Sequence, residues 1–255
     1  MATFRILAVH AHPDDIEILA GGTLSHLIDR GHHVTIVTMT PGDCGSAEYP
    51  PEEIAAIRRD EAAKAAAMIG AAYICAEFRD MAIFNDDPSR RRITELLRQV
   101  QPDIVLTSSP VDYHCDHEAT SILVRDACFA APAPNYKSGT AKPLRKIPHL
   151  YFMDPDEGRD REGNIIRPHF VVDVAKYIDR KTSMLACHES QRKWLQKHHN
   201  MDNYLETMQT WSKDRGNLTG YEFGEGFRLY ACHPYPTTPL LQELLDGLVQ
   251  SPANH

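Results

Sequence analysis

Short apolar runs and amphipathic stretches alternate along the first half of the chain. Phe4 to Val9 is a nearly continuous apolar run, the mark of a strand buried on both faces. Gly21-Gly22 leads into a helical stretch over Thr23 to Arg30 that stops at Gly31. His33 to Met39 is rich in β-branched residues and predicts a second strand, followed by a loop over Pro41 to Ser46. Pro51 to Ile69 predicts a strong helix: proline suits its first position, Glu52 and Glu53 its first turn, and Gly70 its stop. Ala72 to Ala76 is a short third strand, Pro88 to Val100 a basic amphipathic helix, Asp103 to Ser108 a fourth strand and Glu118 to Ala130 a helix. This order predicts an α/β fold: a Rossmann-like, mostly parallel sheet with order 3-2-1-4 in its first half and helices on both faces.

Residues 131–148 break the pattern with prolines, lysines and no periodicity, and predict a long surface loop or flap. Beyond it, His149 to Met153 and His169 to Val174 predict strands. Ala175 to Cys187 and Lys193 to Trp211 predict helices, Tyr221 to Cys232 a late strand and Pro239 to Val249 a closing helix. No repeat, low-complexity tract or linker interrupts the chain, so residues 1–255 read as a single domain.

Composition narrows the partners. With 42% hydrophobic and 24% charged residues in 255, the chain can build a core. A net charge of −8 leaves no basic excess for a nucleic-acid backbone or an anionic membrane. No apolar stretch approaches the ~20 residues that span a bilayer. The N-terminus enters a strand directly, without the pattern of a signal peptide. Six scattered cysteines without a C-x-x-C pair read as reduced thiols of a cytoplasmic protein.

The chemistry gathers at two strand ends. His10-Ala11-His12-Pro13-Asp14-Asp15-Ile16-Glu17 follows the first strand, where many α/β folds keep glycines for a phosphate. Asp14 and Asp15 would repel a phosphate unless a cation intervened, so the position predicts a metal site. Asp112-Tyr113-His114-Cys115-Asp116-His117 follows the fourth strand, with His114 and His117 spaced to share a helix face. In the 3-2-1-4 order these strands are neighbours, and ligands bind at the crevice between their carboxyl ends. His10, His12, Asp14, Asp15, His114 and His117 together exceed the three protein ligands of a catalytic zinc, leaving a carboxylate for a base and a histidine for an acid. His10 is the weaker ligand candidate beside His12.

These motifs resemble the PIG-L or LmbE-like family of metal-dependent de-N-acetylases. Ala11 to Glu17 matches its A-H-P-D-D-x-E signature, and His114-Cys115-Asp116-His117 its H-P-D-H. Thr40-Pro41-Gly42-Asp43, Arg58-x-x-Glu61, Phe78-Arg79-Asp80, Lys181 and Cys187-His188-Glu189-Ser190-Gln191 extend the similarity over most of the chain. The resemblance implies that His12, Asp15 and His117 hold Zn2+, or another divalent ion such as Fe2+. It implies that Asp14 is the general base for a metal-activated water. His114, oriented by Asp116, would steady the oxyanion or protonate the leaving amine. Arg58, Asp80 and His188 match positions at the substrate pocket, against plainer readings as an ion pair with Glu61, a turn residue and a helix cap. A homo-oligomer is also implied. Cys115, standing where the family has proline, frees the turn, and is expected to be a plain buried thiol.

The function expected is hydrolysis of an N-acetyl amide on an N-acetylglucosamine-like aminosugar or its conjugate. An amidase acting on thiol–aminosugar conjugates or another small amide is the alternative. A dinucleotide-binding module is opposed by the lack of G-x-G-x-x-G after strand one. A non-catalytic metal-binding protein predicts that Asp14→Asn changes stability alone.

Overall fold

A computed structural model describes residues 2–199 and 203–253. In chain order the elements are β1 (Arg5–His10), α1 (Asp15–Asp29), β2 (His33–Thr38), α2 (Pro51–Ile69), β3 (Ala72–Cys75), α3 (Asp87–Val100), β4 (Ile104–Thr107) and α4 (Cys115–Ala130). The second half adds β5 (His149–Met153), β6 (Phe170–Asp173), α5 (Ile178–Leu185), α6 (Glu189–His199), α7 (Tyr204–Asn217), β7 (Gly224–Leu229), α8 (Leu240–Leu244) and β8 (Val249–Gln250). They build one eight-stranded sheet of order β3-β2-β1-β4-β5-β7-β6-β8. Strands β3 to β5 in that order run parallel, and β7, β6 and β8 pair antiparallel.

Period-two alternation in β1 sorts the core into two layers. Ile6 and Ala8 point to the face covered by α1, α2 and α5. Leu7 and Val9 point to the face covered by α3 and α4. Both layers are closed to water, which explains why β1 is apolar at every position.

The α2 helix has the predicted limits: Pro51 opens it, and Gly70 closes it in a left-handed conformation at φ 78°. By contrast, α1 starts eight residues before the predicted Thr23, with Gly21 and Gly22 inside it. Tertiary packing explains the pair. A Cβ on Gly22 would lie 2.5 Å from Val174 Cβ, and Glu225 accepts from the N–H groups of Gly22 (2.9 Å) and Thr23 (2.8 Å). Lys181 donates to the same carboxylate at 2.7 Å and to Ser212 at 3.0 Å, so a fully buried ion pair pins α5, β7 and α7 against α1.

Other limits also move. The predicted helix over Lys193 to Trp211 falls on α6 and α7, with its residues 200–202 outside the described ones; that of Ala175 to Cys187 opens as a 3-10 turn; and Pro239 to Val249 shortens to α8 before β8. Residues 131–148 carry no helix or strand, as expected, but they do not hang free. Arg98 donates to the carbonyls of Ala131, Ala133 and Tyr136, and Glu95 accepts from Ser138, Thr140 and Ala141, fastening the segment to α3.

Candidate active site

The carboxyl ends of β1, β4 and β5 lie side by side, and the turns leaving them meet over the sheet. His12, Asp14 and Asp15 come from the first turn, His114 and His117 from the second, and Asp156 from the third. All six line one cavity of about 290 Å3.

Three of these side chains converge on a point. His12 Nδ1 and His117 Nε2 are 3.3 Å apart, and each lies 3.5 Å from Asp15 Oδ2. Tetrahedral bonds of about 2.0–2.2 Å to one ion require ligand atoms about 3.3–3.6 Å apart. The donor set, two imidazoles and one carboxylate, therefore fits a divalent metal without rearrangement. Each donor is held from behind. His10 Nδ1 lies 2.5 Å from Asp15 Oδ2, Asp116 Oδ2 lies 3.3 Å from His12 Nε2, and Asp112 Oδ1 lies 3.0 Å from His117 Nδ1. Burial works against charged rings at His12 and His117. The carboxylates of Asp116 and Asp15 nevertheless push His12 up to about 10, and Asp15 and Asp112 push His117 up to about 9. The cluster thus favours positive charge at its centre, which a metal cation supplies as well as protons do.

Asp14 is adjacent in sequence but held apart from that triangle. Its φ of 103° is a left-handed conformation that costs an aspartate energy, and it turns the carboxyl into the cavity instead of capping α1. The Tyr204 hydroxyl donates to Asp14 Oδ2, and Arg58 Nη2 lies 3.8 Å from Oδ1. Burial, with the charge of Asp15, raises Asp14 to about 6 against the pull of Arg58. Arg58 is buried, donates to the Pro13 carbonyl at 2.9 Å and lies within 2.5 Å of where Cβ atoms on Gly42 and Gly45 would stand. Those two glycines let the loop after β2 close over the guanidinium.

His114 caps the N-terminus of α4, its Nδ1 accepting from the Asp116 N–H at 3.1 Å. Its remaining proton is therefore on Nε2. Burial and the neighbouring His12 and His117 lower its pKa, which keeps the ring neutral.

Several sequence expectations take a different form. Asp116 does not line the cavity, and its carboxylate serves His12 and the Met81 N–H (2.7 Å); only its backbone orients His114. Asp80 lines the cavity: one oxygen accepts from Cys44 N–H at 2.9 Å and the other is buried without a partner. His188 stands outside the cavity wall, because Glu17 draws its Nε2 to 3.3 Å. Arg58 lines the cavity, and the plainer reading as an ion pair with Glu61 does not hold: Glu61 accepts from the Ser190 N–H at 2.9 Å and hydroxyl at 2.5 Å. Cys115 is exposed rather than buried, since it occupies the first residue of α4, where proline is equally at home. The 131–148 segment contributes no lining residue.

Sequence reasoning missed Asp112, Asp156, Tyr204 and the far wall. Asp112 opens the segment Asp112 to His117, and its signal is its place five residues before His117. Asp156, raised to about 8 by burial together with Asp112, Asp15 and Asp14 against the pull of His117, follows β5 much as Asp14 follows β1. The far wall is apolar: Trp194 and Leu195 from α6, and Met208 and Trp211 from α7.

Comparison with known proteins agrees with this geometry. The PIG-L family model, described as GlcNAc-PI de-N-acetylase, matches residues 7–128. Diacetylchitobiose deacetylase of Thermococcus kodakarensis is 26% identical over 241 residues, covering 88% of this chain and 82% of its own. A 4-oxalmesaconate hydratase of Pseudomonas putida is 28% identical over 189 residues, 71% of each chain. Among solved structures, N,N'-diacetylchitobiose deacetylase of Pyrococcus horikoshii superposes with a TM-score of 0.75 at 26% identity, covering 92% of this chain and 88% of that one. No helix among the described residues is long and apolar enough to cross a membrane.

Proposed function

We propose that this chain, whose residues 7–128 match the PIG-L family model, is a metal-dependent de-N-acetylase that hydrolyses the acetamido group of an N-acetylglucosamine-like sugar or its conjugate. The observation that carries this reading is the His12–Asp15–His117 triangle with the buried carboxyl of Asp14 beside it but outside it. In this reading the three hold the metal, and zinc suits the mixed nitrogen and oxygen donors. The bound ion would polarise the acetyl carbonyl and acidify water.

The protein groups do the rest. Asp14 takes a proton from the attacking water as its oxygen bonds the acetyl carbon. Tyr204 and Arg58 keep the carboxylate aimed. His114, neutral and carrying its proton on Nε2, donates to the oxygen on which charge develops. When the carbon–nitrogen bond breaks, Asp14 returns its proton to the leaving nitrogen, giving acetate and a free amine. Asp80, Asp156 and Gln191 each present a buried oxygen without a partner at or beside the cavity. Three unpartnered polar oxygens suit a ligand with several hydroxyls, which both donate and accept, as a sugar has.

The hydratase relative suggests another use of the same fold. A carboxylate-bearing substrate is disfavoured here, because Arg58 is the one lysine or arginine among the described lining residues, and it is already engaged. The test is amine release from N-acetylglucosamine and N,N'-diacetylchitobiose by zinc-loaded protein. Activity should vanish with a chelator and return with zinc. Zinc-loaded protein that releases no amine from any acetamido sugar sinks the proposal.

A further inference from the structure

Asp112 stands on the turn between β4 and α4 and is closed to water. Its carboxylate holds three neighbours. Oδ1 accepts from the His114 N–H at 3.0 Å and lies 3.0 Å from His117 Nδ1, and Oδ2 accepts from the Asp156 N–H at 3.4 Å. The backbone of Asp112 is in turn gripped from both sides. Its N–H donates at 3.0 Å to Glu118 Oε1, from the first turn of α4. Its carbonyl accepts from Arg161 Nε at 3.1 Å. Arg161 Nη2 also donates to the other oxygen of Glu118, which closes the grip into a ring. Arg161 comes from the segment between β5 and β6, near the tip of a tight hairpin. There Arg159 bridges Ile165, and Asp160 Oδ1 accepts from the N–H groups of Glu162 and Asn164, both at 2.9 Å. The guanidinium is therefore presented on a folded arm.

Resting on the reading of His117 as a metal ligand, we propose that Glu118 and Arg161 are positioning residues: they lock the Asp112 backbone and, through its carboxylate, the ring of His117. The ion pair alone contributes little, since 56% of the Arg161 side chain is exposed. The two backbone bonds carry the argument. Residues 108–114 have no helix or strand, so no ladder fixes Asp112, yet its buried N–H and carbonyl need partners. Side chains supply both. A carboxylate that orients a ligating imidazole tunes metal affinity, and it can do so only while its own backbone is held. Neither Glu118 nor Arg161 lines the cavity, so this support reaches the near wall from outside it.

The test is the zinc affinity of the full chain, read by competition with a chelator. Glu118→Ala removes the acceptor and should raise the zinc Kd about tenfold. Glu118→Gln keeps an amide oxygen for the Asp112 N–H and should stay within about threefold of the unmodified protein. Arg161→Met keeps the stem without the donors and should raise Kd about fivefold. In an Asp112→Ala background, Glu118→Ala should add less than about twofold, because no carboxylate is left to transmit the grip. An unchanged Kd in Glu118→Ala and Arg161→Met overturns the inference. So does an equal added loss with and without the Asp112 carboxylate, or Glu118→Gln as weak as Glu118→Ala. Should Glu118→Ala fail to fold, Arg161→Met on its exposed side chain decides alone, and an unchanged Kd there overturns the inference. If the unmodified protein binds no zinc, the metal reading fails on its own. The His117 Nδ1–H resonance of the zinc-free protein then decides the grip: its exchange with water should be about tenfold faster in Glu118→Ala, and an unaltered rate overturns the proposal.

Discussion

The two walls of the catalytic cavity are built on different principles. The near wall, residues 10–17 and 112–117, is made of turns at the ends of buried parallel strands, and its charged groups fix one another at 2.5–3.5 Å. The far wall, Trp194, Leu195, Met208 and Trp211, is made of side chains on two helices that reach the cavity through packing. Strand ends are rigid because the whole sheet holds them, so a reaction that needs atoms placed to a few tenths of an ångström is sited there. Helix faces can change their side chains without moving the sheet. Under the proposed mechanism the reacting groups stand on strand-end turns and the apolar wall on helices, with Tyr204 reaching from the second to the first.

That division can be broken by measurement. The largest effect is expected for Asp14→Asn. Asparagine tolerates the left-handed backbone of this position, so the fold and the bound zinc should survive while kcat falls by about 10²–10⁴. A variant that retained most of its turnover would remove Asp14 from the mechanism. Asp112→Asn should weaken zinc binding about 10–100-fold, read by competition with a chelator, because Asp112 holds the back of His117. Unchanged zinc affinity would show that the triangle needs no support from behind. Tyr204→Phe should lower kcat about tenfold with KM and zinc content nearly unchanged, since only the bond to Asp14 is lost. A KM effect of the same size would make Tyr204 part of the far wall instead. The smallest change belongs to Trp211→Ala, which should raise KM about fivefold while kcat stays within about twofold. If kcat collapsed as it does for Asp14→Asn, the two walls would not be separable.

The near wall was legible in the sequence because short-range rules govern it. A strand end fixes where His12 and Asp15 point, and three-residue spacing at a helix start fixes His114 and His117. The α2 helix was legible for the same reason, with Pro51 and Gly70 marking its ends. Where tertiary contacts decide, local rules failed. Gly21-Gly22 reads locally as a break, yet it lies inside α1 because Val174 and Glu225 need the room and the N–H groups. Asp116 and His114 are two residues apart and looked like partners, but the carboxylate was claimed by His12, 104 residues away. His188 was drawn off by Glu17 in the same way. Nothing in the spacing of Trp194 and Trp211, which stand on different helices, marks them as facing one cavity.

Helix α2 carries two side chains one turn apart with opposite assignments. Arg58 reaches inward to Pro13 and Asp14, and Glu61 clasps Ser190 at the head of α6. This makes α2 a mounting rail. A segment such as 189–217 could be exchanged for one of different side chains, provided it still offered a serine to the clasp and a tyrosine to Asp14. The molecule is in that sense already divided for grafting: a fixed reactor on one side of α2, a replaceable cassette on the other.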